Sequence, residues 1–78
     1  MPTIYREGKF RFFFNSREEN RRHVHVNTTE GTAKFWLEPN IELADSYNIK
    51  DFELNRISKI INNKNEDFIN AWNRYFQV

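Results

Sequence analysis

The apolar residues change period once along this chain, and that change constrains the fold more than any other feature. Up to Glu38 they alternate: Phe10, Phe12 and Phe14, then Val24 and Val26, then Ala33, Phe35 and Leu37. That is the two-residue period of a β-strand. Beyond Pro39 the spacing becomes helical, through Phe52, Leu54, Ile57, Ile60 and Ile61, then Phe68, Ile69, Trp72, Tyr75 and Phe76. Strands followed by helices define the α+β class.

Local signals divide each half. Thr3 to Arg6 reads as a strand, and Glu7-Gly8 as a tight turn, since glycine accepts positive φ. Lys9 to Asn15 and His23 to Asn27 follow as strands, separated by a charged loop. Thr28 to Thr32, with Gly31, reads as a hairpin connection to a strand over Thr32 to Glu38, which Pro39 ends. In the second half Asn48 is placed to cap a helix, with Asp51 three residues later as in a capping box. Asn62, Asn63 and Asn65 read as a break, and Asn65 as the cap of a second helix begun by Glu66 and Asp67. The expected architecture is a single domain over residues 1–78. An antiparallel sheet of about four strands (residues 3–38) carries two C-terminal helices (about 49–77) on one face.

A chain of 78 residues without cysteine has neither disulfide nor thiolate metal site to help it fold. Aromatic residues, 17% of the chain, carry the core instead, because large rings bury much area per residue. No apolar run reaches the roughly 20 residues of a membrane span, and no signal peptide is read, so a cytoplasmic protein with no membrane partner is expected. Net charge is +1, with the excess of cations in the first half: seven basic and five acidic residues up to Glu38, five and six after it. Bulk charge therefore argues for no partner, and local placement must do so.

Strand parity makes that placement specific. The face opposite the apolar rows collects Lys9, Arg11, Phe13, His23, His25, Lys34 and Trp36, with Arg21 and Arg22 at the start of a strand. Cations interleaved with rings suit a surface that stacks bases and holds phosphates. The plainer reading is an ordinary polar sheet face on which Phe13 and Trp36 make a cross-strand pair. The two histidines, alternating with Val24 and Val26, have three readings. They share a metal with a carboxylate from Glu18, Glu19 or Glu30. Alternatively, one is a general base toward an RNA 2′-hydroxyl, with Lys34 or Arg11 stabilising the charged phosphorane. In the third reading they are structural. A histidine-triad hydrolase is excluded because Asn27 stands where a third histidine is needed. Two glycines make no phosphate loop, and no nucleophile elbow is present.

Six blocks in order then resemble a known family. They are Met1-Pro2-Thr3-Ile4, Arg11-Phe12-Phe13-Phe14, Ser16-Arg17-Glu18-Glu19, His23-Val24-His25-Val26, Ala33-Lys34-Phe35-Trp36-Leu37-Glu38-Pro39, and Ala71-Trp72 with Tyr75-Phe76. Together they resemble the small bacterial proteins called domain of unknown function 4160. Many members carry prolines just before the histidine block, where this chain has Arg21-Arg22. The resemblance implies a toxin–antitoxin or transcription-associated setting, often beside another small protein. It transfers no catalytic residue. The positions that match the family pattern one by one are Arg11, His23, His25, Lys34 and Trp36.

The expectation is a non-enzymatic interaction module of a toxin–antitoxin-like locus, needing no cofactor or metal. It binds a partner protein or nucleic acid through the open sheet face, with Arg11, Phe13, Arg21, Arg22, His23, His25, Lys34 and Trp36 as binding residues. The alternative is a small metal-independent ribonuclease toxin with His23 or His25 as general base. A homodimer through an open strand edge or the aromatic face is a further expectation.

Overall fold

The computed structural model describes residues 3–15 and 21–76. Five strands form one antiparallel meander in the order β1-β2-β3-β4-β5: β1 Thr3–Glu7, β2 Phe10–Phe13, β3 His23–Asn27, β4 Thr32–Trp36 and β5 Glu42–Tyr47. One helix, α1, runs from Asp51 to Phe76. The α+β class and the antiparallel sheet agree with the sequence reading. The counts differ: among the described residues there are five strands, against about four expected, and one helix, not two.

The helix is continuous because its buried stripe never changes phase. Ile57, Ile61, Phe68 and Trp72 are all buried at steps of four, seven and four, which keeps them on one side of a 3.6-residue spiral. Packing of that stripe outweighs the weak helix preference of three asparagines. Asn62 stays helical with its Nδ2 donating to the Ser58 carbonyl at 2.9 Å. Asn65 sits on the stripe itself, and its Oδ1 is buried with no hydrogen-bond partner among the described residues. Nor does Asn48 cap the helix. It holds a left-handed φ of 57° and donates its Nδ2 to the Glu30 carbonyl at 2.7 Å. The first helical bonds instead run from Glu53 and Leu54 to the Lys50 carbonyl, both at 3.0 Å.

Strand β5 completes the sheet beside β4, with a register shift opposite Lys34 and Phe35. Its sequence, Glu42-Leu-Ala-Asp-Ser-Tyr, has little β-preference, and as an edge strand its charges deter pairing with other chains. The β3–β4 turn is locked against the end of β5. A Cβ on Gly31 would lie 2.1 Å from the Tyr47 carbonyl oxygen and 2.5 Å from that of Asn48, so only glycine fits.

The core lies between the sheet and α1. Phe10, Phe12, Phe14, Val24, Val26, Ala33, Phe35 and Leu37 meet Ile57, Ile60, Ile61, Phe68 and Trp72. Every sheet residue in that set belongs to the alternating rows of the sequence. One helix of about 10–12 Å diameter covers only part of five strands spaced about 4.8 Å apart. Leu43 and Phe52 accordingly remain exposed along one flank. Lys9 turns toward the helix, where its ammonium pairs with the buried Glu53 in the first turn and, at 3.7 Å, with Glu30. It leaves the open face on which strand parity had placed it.

Candidate functional site

Strand registers set the open face rung by rung, since residues paired across an antiparallel ladder share a side. One rung is Arg6–Arg11–Asn27–Thr32–Tyr47. The next is Thr3–Phe13–His25–Lys34–Asp45, and the third is His23–Trp36–Glu42. Arg11, Phe13, His25, Lys34 and Trp36 therefore share this face, as parity predicts. Phe13 pairs with His25 and Trp36 with His23, so the anticipated Phe13–Trp36 pair does not form.

Cations lie against the rings. The Arg11 guanidinium is 4.6 Å from the Phe13 centroid, and its Nε donates to Thr3 Oγ1 at 2.6 Å. Arg21 and Lys34 both lie against Trp36, at 4.3 and 4.5 Å. Arg21 is held by its Nε to the Glu38 carbonyl at 2.6 Å and by Glu42 at 3.2 Å. Such contacts fix long side chains over apolar surface while leaving their charge toward solvent. Phe13 itself is buried, stacked on His25 with centroids 5.5 Å apart.

His23 departs from the sequence expectation, because the residue is only 2% exposed. It makes edge contacts with Trp72 of the helix at 5.0 Å, with His25 at 5.2 Å and with Trp36 at 5.7 Å. Its Nδ1 lies 2.8 Å from the Arg21 carbonyl, which can only accept, so Nδ1 carries the proton and donates. An enclosed ring cannot reach a proton on a large substrate, whereas His25 is partly exposed.

Arg22 also leaves the face. Its Nε and one terminal nitrogen donate to Asn73 Oδ1 at 2.9 and 2.7 Å, and the other terminal nitrogen pairs with Glu38 at 3.0 Å. This arginine ties β3 to the helix, and its donors are used there. For the metal reading, Glu18 and Glu19 lie outside the described residues. Glu30 is turned to Lys9 and Thr29. Among the described residues no three histidine, aspartate or glutamate side chains converge as a ligand set.

Between β2, β3, β4 and β5 the open face dips into a concavity of about 290 Å³. Phe13, Asn15, His25, Asn27, Thr32, Lys34, Asp45 and Ser46 contribute to its walls. Sequence reasoning missed Arg6, Asp45 and Tyr47. Arg6 becomes visible only once the Gly8-Lys9 turn fixes the β1–β2 register, and the other two lie on the unrecognised strand.

Fold and face together define a small α+β module with one side of its sheet packed against a helix and the other offering cations set on rings. The chain belongs to the family described as domain of unknown function 4160, whose sequence model matches residues 9–73. No curated protein and no solved structure matches it. No helix among the described residues is long and apolar enough to cross a membrane.

Proposed function

We propose that this protein is a non-enzymatic binding module whose open sheet face holds single-stranded nucleic acid. The observation that carries the reading is the set of cations laid over aromatic rings on one face, Arg11 on Phe13 and Arg21 and Lys34 on Trp36. Arg21 and Lys34, set on Trp36, extend the cationic track across the face, and Tyr47, 73% exposed, offers a ring on which a base can stack. Phosphates would meet Arg6, Arg11, Arg21 and Lys34. Phe13 and His23 support the face from below, and Arg22 serves the fold.

Titration of the protein with short single-stranded RNA and DNA, following Trp36 fluorescence, tests this. Trp72 is buried and acts as a steady background. Binding should quench Trp36 at low salt. It should weaken with salt at a log–log slope of roughly −3, as four phosphate contacts on a single strand give. No quenching by any single strand at low salt overturns the reading.

A second reading rests on His25, which lines the concavity together with Lys34. A base and a cation there would suit cleavage of RNA through its 2′-hydroxyl. Incubation with RNA would then yield 2′,3′-cyclic phosphate ends, lost in His25→Ala. The toxin–antitoxin setting is likewise a proposal. Growth arrest on expression, relieved by His25→Ala, would favour the toxin, and unaffected growth would favour the binding module.

A further inference from the structure

We propose that the outer edge of β5, with the groove between that strand and α1, docks an extended basic strand of a partner protein. The groove lies on the helix side of the sheet, away from the face assigned to nucleic acid, so either site can stand without the other.

The backbone calls for a strand. Leu37 N–H donates to the Arg22 carbonyl at 2.9 Å, so the odd-numbered residues of β4 bond toward β3. The backbones of Thr32, Lys34 and Trp36 therefore turn to β5, where their partners are Tyr47, Asp45 and Glu42. Leu43 and Ser46 fall between those partners and direct N–H and C=O outward, away from β4. The Ser46 N–H accordingly donates to the Oδ1 of its neighbour Asp45 at 2.9 Å. An added strand pairs with outward groups of this kind by β-augmentation.

The side chains call for an apolar row on one side of that strand. Leu43 pairs with Phe35 and so faces the helix layer, yet it is 45% exposed. With Phe35, Leu54, Asp51, Asn55 and Ser58 it walls a groove of about 400 Å³. Phe52, the residue after Asp51, is exposed as well. A strand laid along β5 would send every second side chain into this groove, and apolar ones would cover Leu43 and Leu54.

Charge selects the partner. Asp51 is the charged residue of the groove wall, and it makes no ion pair among the described residues. Glu42, which Arg21 engages, and Asp45 lie along the open side of the same strand. Acids along the edge deter a second copy of β5 and favour a strand that carries lysine or arginine.

Fluorescein-labelled peptides of six residues, the length of β5, test this by anisotropy. One alternates valine with lysine, and a second has glutamate in place of lysine. A third is the lysine peptide with its valine nitrogens methylated. Valine opposite Leu43 would share its side of the sheet and its hydrogen bonds, so methylation removes the pairing donors and keeps the charge. The lysine peptide should bind, and the other two should bind roughly tenfold more weakly or not at all. Leu43→Ser should weaken the lysine peptide by a similar factor, with circular dichroism confirming the fold. In the wild-type protein, hydrogen exchange at the Leu43 amide should slow on binding. No binding of the lysine peptide, equal binding of the methylated one, or full affinity in Leu43→Ser overturns the docking site. Equal binding of the glutamate peptide overturns the basic partner. A dimer in sedimentation that Leu43→Ser dissolves would make a second copy the occupant and overturn the proposal.

Discussion

Replacing Asn65 by leucine should stabilise the protein by about 2 kcal/mol. Asn65 occupies the stripe position between Ile61 and Phe68, and its carbonyl oxygen is buried without a partner among the described residues. Leaving such a group unpaired costs roughly 1–3 kcal/mol. Leucine also favours a helix interior over asparagine by a few tenths of a kcal/mol. For a domain of this size the sum corresponds to roughly 8–16 °C in Tm. Urea and thermal unfolding followed by far-ultraviolet circular dichroism would measure it, with an unchanged denaturant slope. Asn63→Leu is the control: Asn63 is exposed, so it should gain only the helix-preference part. If Asn65→Leu stabilises no more than Asn63→Leu, or destabilises, the buried-orphan argument and the uninterrupted stripe both fail.

The two histidines should separate in the same assay: His23→Ala, which removes an enclosed ring touching Trp36 and Trp72, should cost about 2–3 kcal/mol, and His25→Ala less than about 1 kcal/mol. Equal costs would contradict the burial difference. Stability should also fall in alkali. The Glu53 hydrogen bond, with help from Glu30, raises the Lys9 ammonium above its ordinary 10.5 although burial opposes the shift, and the hydrogen bond to Glu7 raises the Tyr5 hydroxyl. A raised folded-state value gives stability that is complete below the unfolded value and fades as pH climbs through the folded one. The urea midpoint should therefore be level up to about pH 10 and drop beyond it, less steeply in Lys9→Met, and an identical drop in that variant would refute the assignment.

Much of the sheet was legible because parity is a strict rule. The exchange of faces between Val24 and His25, or Phe35 and Lys34, follows from a period of two and needs no tertiary information. Strand β5 was illegible because glutamate, alanine, aspartate and serine carry no strand signal, and pairing with β4 supplies what the side chains do not. The asparagines of the helix misled for the opposite reason. Their local preference is real, but Ile57, Ile61, Phe68 and Trp72 bind both halves to one sheet. Asn48 looked like a cap because its chemistry suits either a cap or a left-handed turn, and only the approach of Gly31 decides between them. His23 obeyed parity in its ladder pairing with Trp36. Its burial depends on Trp72, forty-nine positions away in the chain, which no local pattern reports. Of the candidate face, the residues on β2, β3 and β4 could be found in advance. Those on β5 could not.

The meander has a kinetic consequence. Every ladder joins strands that are consecutive in the chain, so each hairpin can close before the next begins and no distant segments must first find one another. Loop-closure entropy is met in small instalments, which places such a topology among the quicker-forming sheets. The helix, last in sequence, then needs only to lie down on a surface already assembled.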